Sequence, residues 1–161
     1  MDAHIATLDP TDAETSLADL VTLLIDAVND GASVGFLAPV RHDAALDYWR
    51  SILADVERRT VEVLVARVGG TVVGAVQLAL ATQPNAAHRA EVRRLLVARS
   101  VRRRGIGRAL MVAVEETARG LGRTLLVLNT RRGDPPSGSI AASGTRRWGR
   151  YPTTRTIRTG R

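Results

Sequence analysis

The chain has no cysteine and no lysine, and its 161 residues include only two Trp, two Tyr and one Phe. The first absence removes disulfides, thiolate metal sites and a cysteine nucleophile together. The second removes Schiff-base chemistry and the Gly-Lys-Ser/Thr signature of a phosphate-loop NTPase. Scarce aromatics leave the core to aliphatic side chains. No stretch is apolar for the length of a membrane span, and Met1-Asp2-Ala3-His4 lacks the cationic start and apolar run of a signal peptide. His4, His42 and His88 lie far apart, without metal-ligand spacing, and read as surface or loop residues. These absences point to a soluble, cytoplasmic, metal-free protein, and the length points to one domain with a real core.

The formal net charge of +7 suggests nucleic acid until it is divided. Residues 131–161 hold eight Arg and one Asp, whereas residues 1–130 balance fifteen Arg against fifteen acidic residues. The basic character therefore belongs to the last stretch. The rest reads as alternating strands and helices. Ile5 to Leu8 forms a short strand, and Asp9-Pro10-Thr11-Asp12 turns into a helix whose Leu17, Leu20, Val21, Leu24, Ile25 and Val28 share one face. Asn29-Asp30-Gly31 ends that helix. A second helix near 43–57 turns Leu46, Trp49, Ile52, Leu53 and Val56 inward. Val61 to Val68, Gly69-Gly70 and Thr71 to Leu80 form a β-hairpin whose glycines supply the positive φ of a tight turn. Ala90 to Val97 is the next strand. Ile106, Leu110, Val114 and Ala118 give a third helix one apolar stripe, and Thr124 to Leu128 forms a buried strand.

The most telling segment is Arg102-Arg103-Arg104-Gly105-Ile106-Gly107-Arg108, between the strand ending at Val97 and the third helix. Two glycines at a loop-to-helix junction let several backbone N–H groups face one anion, and the helix N-terminus adds partial positive charge. A dinucleotide fold needs a third glycine and an acidic residue about twenty positions on. Here Leu110 occupies the position of that glycine, and the strand ends well before Gly105.

The Arg-x-x-Gly-x-Gly pattern resembles the acyl-CoA motif of the GNAT superfamily of N-acyltransferases, and the element order over residues 3–134 is similar to the front of that fold. The resemblance implies an α/β fold with a mixed, mostly antiparallel sheet and helices on both faces. It also implies acetyl-CoA as co-substrate and a small-molecule amine as acceptor, as in small bacterial acetyltransferases. It places Arg102, at the first motif position, with Gly105, Ile106 and Gly107 at the cofactor's pyrophosphate, while Arg103, Arg104 and Arg108 of the same cofactor-binding run touch either its phosphates or water. The backbone of Leu95, Leu96 and Val97 pairs with the pantetheine arm, in a slot where parallel strands splay. Asn129 ends the last strand, where the family often hydrogen-bonds that arm, although asparagine there is also an ordinary turn residue. Glu91, on the same strand, is the candidate general base. It reads equally as a strand-end glutamate paired with Arg89 or Arg93, and Glu62 is a weaker rival.

The resemblance breaks after Gly133-Asp134-Pro135. The family supplies another helix bearing a tyrosine that protonates the leaving thiolate, then a closing hairpin. Residues 131–161 have no Leu, Val, Met or Phe and cannot offset their own ordering entropy. They read as an atypical, disordered basic tail beyond a domain at 1–130, with the closing helix and hairpin missing and the last strand's edge bare. Tyr151 is not assigned the acid role. The abruptness points to a reading-frame shift near Asp134-Pro135-Pro136. Synonymous codons for Thr145 to Gly160, read in another frame, give Glu-Glu-Val-Gly-Thr-Val-Pro-Asp-Tyr-Ala-His-Asp-Pro-Asp-Gly, which is similar to the family's closing segment. Two competing functions remain: nucleic-acid binding through the arginine tail, which carries no nucleic-acid motif, and acyl-CoA sensing without turnover. A membrane partner is not expected, and a homodimer is compatible with the chain.

Overall fold

A computed structural model describes residues 2–32 and 34–129, together with the backbone of two strands at 146–150 and 154–158. The order is β1 (His4–Thr7), α1 (Pro10–Asn29), α2 (His42–Glu57), β2 (Val61–Val68), β3 (Thr71–Leu80), β4 (Arg89–Val97), α3 (Ile106–Gly120), β5 (Leu125–Asn129), β6 (Arg146–Arg150) and β7 (Thr154–Arg158). Short 3-10 turns at Pro84–Ala86 and Arg99–Val101 flank β4.

Local sequence explains the element ends. Asp9 caps α1 by accepting the Thr11 N–H at 2.8 Å, with Pro10 in the first turn where its missing N–H costs nothing. The left-handed glycines Gly69 (φ 58°) and Gly70 (φ 87°) close the β2–β3 turn. The apolar faces expected from periodicity turn inward, although Ile25, Leu46 and Ile52 are only half-buried against the core. Leu17, Leu20, Val21, Leu24 and Val28 of α1 are buried, as are Trp49, Leu53 and Val56 of α2 and Ile106, Leu110, Val114 and Ala118 of α3.

The sheet order is β1-β2-β3-β4-β5-β7-β6. Among the described strands only β4 and β5 run parallel, as expected for a mixed, mostly antiparallel sheet. Helices cover both faces. One core joins α1 and α2 to Val63, Val65, Ala75 and Leu96, and the other joins α3 to Leu64, Val76, Leu78, Val92 and Leu126. Each fully buried Leu of these cores contributes roughly 1.5–3 kcal/mol by leaving water. Polar ties fix α1 on the sheet: Asp19 accepts the Val72 N–H at 2.9 Å, and Arg67 donates to the buried Ser16 hydroxyl at 2.6 Å.

One expectation needs correction. β5 does not end the sheet, because β7 pairs antiparallel with it from Leu125↔Arg158 to Asn129↔Thr154, and β6 pairs with β7. A ladder is made by backbone N–H and C=O groups, so a segment without large aliphatics can still cover an open edge. The expectation of a disordered tail without its closing hairpin covered residues 131–161, and within that span 146–150 and 154–158 are paired strands. The missing helix, the boundary at 130 and the remainder of the tail lie outside the described residues.

Candidate active site

The site is built where β4 leaves β5. Parallel pairing runs from Arg89↔Leu125 to Val92↔Leu128 and stops there. Beyond that point, among the described residues, β4 has no ladder partner on its β5 side, so the backbone of Arg93 to Val97 lines an open edge. Leu96 is buried, while Leu95 and Val97 are half-buried. Leu95 and Val97 pack on the α3-side core and Leu96 on the other, so these side chains serve packing.

On its β3 side the same stretch carries a bulge. Ala75 pairs with Leu96 and Gln77 with Arg93, leaving Arg94 and Leu95 opposite Val76 alone. Arg94 takes φ 52°, left-handed for a non-glycine residue. Its guanidinium carbon stands 5.1 Å from the Tyr48 ring centroid, and its Nε donates to the Tyr48 hydroxyl at 2.8 Å. The buried Gln77 donates its Nε2 to the same hydroxyl at 2.8 Å. Phe36, from the α1–α2 loop, meets the Tyr48 ring edge-on at 5.2 Å. Sequence reasoning missed this cluster, although Gln77 inside the apolar run of β3 was a visible signal.

The turn after β4 is tied to the end of α1. Arg99 gives Asp26 its backbone N–H at 2.9 Å and its Nε at 2.7 Å. Arg102 pairs with Asp30 and donates to the Val97 carbonyl at 3.1 Å. Burial opposes ionisation of Asp26, but the Arg99 hydrogen bonds and the Arg99 and Arg102 charges outweigh it. The carboxyl is therefore held below the ordinary aspartate value. A cavity of about 650 Å³, lined by Asp26, Thr71, Ala98 and Ser100 among others, opens beside this junction.

Arg103 (φ 62°) and Gly105 (φ 80°) are both left-handed, and Gly105 is the N-cap of α3 with no side chain to satisfy the first N–H groups. A Cβ built on Gly105 would meet nothing within 4 Å. The space beside Gly105 is thus open, and the first N–H groups of α3 have no side-chain cap. Ile106 is buried and anchors the helix, while Arg103, Arg104 and Arg108 are exposed. Gly74 of β3 lets α3 come close, since its Cβ would lie 3.1 Å from Leu110 and 3.2 Å from Ile106.

Glu91 sits on β4 one residue before the pairing stops, with its side chain 27% exposed. Arg93 donates to its Oε2 through Nε at 2.7 Å and a terminal nitrogen at 2.5 Å. Glu62 is on β2, two strands away, and lines a different hollow with Asp9, Glu57 and Arg59. Asn129 ends β5 beside the splay. All three histidines are exposed. Among the described residues no helix is long and apolar enough to cross a membrane.

An open helix N-terminus at Gly105 thus follows a splayed, bulged strand, and comparison with known proteins bears on this arrangement. The model of the acetyltransferase (GNAT) family matches residues 35–139. The chain belongs to the acetyltransferase (GNAT) family. It is similar to a ribosomal-protein-alanine N-acetyltransferase from Brucella melitensis, at 23% identity and TM-score 0.74 over 96% of this chain and 97% of that one. It is also similar to yncA, a putative acetyltransferase from Salmonella typhimurium solved with its cofactor acetyl-CoA. That likeness has 18% identity and TM-score 0.72 over 100% and 96% of the two chains. A phosphinothricin acetyltransferase from Sinorhizobium meliloti, in complex with acetyl-CoA, matches at 16% identity and TM-score 0.71 over 98% and 87%.

Proposed function

We propose that this chain is a cytoplasmic N-acetyltransferase that moves an acetyl group from acetyl-CoA to the amine of a small molecule by direct attack on the thioester. The observation that carries this reading is the continuity of two open features: the unpaired β4 edge from Arg93 to Val97 and the α3 N-terminus at Gly105, joined by a turn pinned to α1. Acetyl-CoA supplies the activated acetyl thioester. The first N–H groups of α3, at Ile106, Gly107 and Arg108, hold its pyrophosphate, and Arg103, Arg104 and Arg108 add charge around it. Arg102 acts differently, because its pairing with Asp30 and the Val97 carbonyl makes it a strut for the loop. Backbone groups of Leu95, Leu96 and Val97 receive the pantetheine amides as an added strand would give them, with Asn129 across the splay. Bulge N–H groups at Arg94 and Leu95, displaced from the β3 ladder, face a carbonyl oxygen that gains charge during attack.

Glu91 accepts the amine's proton, directly or through water, and Arg93 fixes its carboxylate in place. A thiol-release assay with acetyl-CoA and a panel of small amines tests the reading. Amine-dependent release of CoA is the expected result, and release that ignores the amine contradicts it.

The functional ending, on this reading, lies in the second frame. Its closing segment carries a tyrosine, a candidate proton donor for the leaving thiolate.

A further inference from the structure

The arginines on and after β4 are not alike. Arg93 is paired with Glu91, Arg99 with Asp26, and Arg102 with Asp30. Arg94 is half-buried and has no carboxylate within ion-pairing distance among the described residues, yet its orientation is fixed. Tyr48 holds it twice, by the hydroxyl on Nε and by the ring under the guanidinium plane. Gln77 in turn holds Tyr48. Gly35 of the α1–α2 loop lies against the guanidinium, where a Cβ would sit 3.3 and 3.6 Å from the two terminal nitrogens and 3.7 Å from the carbon between them. The backbone that aims this side chain is left-handed, a conformation seldom kept without a use.

A partly desolvated guanidinium with Nε occupied and its plane fixed on Tyr48 is preorganised for an oxyacid at its terminal nitrogens. Its position ties that oxyacid to acyl transfer. Arg94 is the bulge residue, two positions past the last β4–β5 pair, so its backbone faces the slot while its side chain reaches the α2 side. We infer that the acceptor is an amine that also carries an anionic group, a carboxylate or a phosphorus oxyacid within a few bonds of the nitrogen, and that Arg94 binds that group. This rests on the acetyltransferase reading for where the amine lies, but the anion site stands on Arg94, Tyr48 and Gln77 themselves. Gly35 is favoured beside Arg94 because a side chain there would press on the guanidinium.

Calorimetric titration separates the two ideas. The probes are L-amino acids and 1-aminoalkylphosphonic acids, each set against the matched amine lacking the acid, added to the full chain with and without saturating CoA. The acid-bearing member of a pair is expected to bind at least tenfold more tightly. Arg94→Gln should remove that preference, Arg94→Lys should keep part of it, and Tyr48→Phe should weaken it by loosening the guanidinium. CoA affinity, read in the same instrument, should be unchanged in all three variants. Comparison of the carboxylate and phosphonate arms shows which oxyacid is preferred. Equal affinity within the pairs, no binding by any acid-bearing probe, or a preference that survives Arg94→Gln overturns the inference. Failure of CoA to bind strikes the acetyl-CoA reading instead, since the probe pairs are also compared without CoA. Arg94→Lys and the wild-type pairs keep the test decisive should Arg94→Gln not fold.

Discussion

At the residue scale, Gly105 and Glu91 bear most of the proposed chemistry and make opposite predictions. Gly105 has φ 80°, so any side chain there is strained by about 1–2 kcal/mol whatever the free space. Gly105→Val should lower the melting temperature modestly and weaken acetyl-CoA binding strongly, because the added branch stands where the pyrophosphate must approach. Glu91→Gln should leave CoA affinity nearly unchanged and lower kcat by about 10²–10⁴-fold, the usual worth of a positioned base. A wild-type kcat in Glu91→Gln would remove the base role and leave Glu91 as the partner of Arg93. The sequence made both residues visible, one by glycine spacing and one as a carboxylate on the right strand. It did not reveal that Arg93 holds Glu91, because Arg89 was an equally near candidate. Arg102 also changed character: the motif spacing drew it toward phosphate, whereas its guanidinium meets Asp30, a residue that sequence distinguishes only as a helix end.

At the element scale, α1 does more than cover the sheet. Its last turns hold the β4–α3 turn through Asp26–Arg99 and Asp30–Arg102, so the seat's position depends on a helix far away in sequence. Asp26 gives this tie a pH signature. Its folded-state pKa is lowered, so its contribution to stability is present above the unfolded value of about 3.9 and is lost as pH falls through the folded value. Asp26→Asn should therefore be less stable than wild type at neutral pH, with the gap in melting temperature closing as pH drops below about 3.9. A gap constant across pH would mean that the tie contributes through packing alone. Gly74→Val should force α3 off β3 and cost about 1–3 kcal/mol, measured by denaturant unfolding, since Leu110 and Ile106 already lie at 3.1 and 3.2 Å. Elements were largely legible because amphipathic periodicity encodes them locally. The helix faces, the β2–β3 hairpin and the third helix agree with the sequence reading. The bulge at Arg94 was not legible, since it arises from register between β3 and β4, which no single strand's pattern records.

For the whole molecule, the open question is the ending. β7 and β6 extend the sheet past β5 by backbone pairing, but the chain as written offers few aliphatics beyond residue 130 to hold them there. Sequence composition marked the change at Asp134-Pro135-Pro136, yet composition is blind to a ladder that needs only N–H and C=O groups. A chain carrying the second-frame ending should be more stable by several degrees in melting temperature and much more active, because valines and a tyrosine return together. Equal stability and activity of the two chains would show that the ending as written is the working one.

The pyrophosphate seat is the point on which the acetyltransferase reading depends, and titration calorimetry with acetyl-CoA addresses it directly. Wild type and Gly105→Val are compared after circular dichroism has shown both to be folded. Saturable one-to-one binding by wild type, weakened at least tenfold in Gly105→Val, is the predicted result. No binding by wild type, or equal affinity in the two proteins, would contradict it.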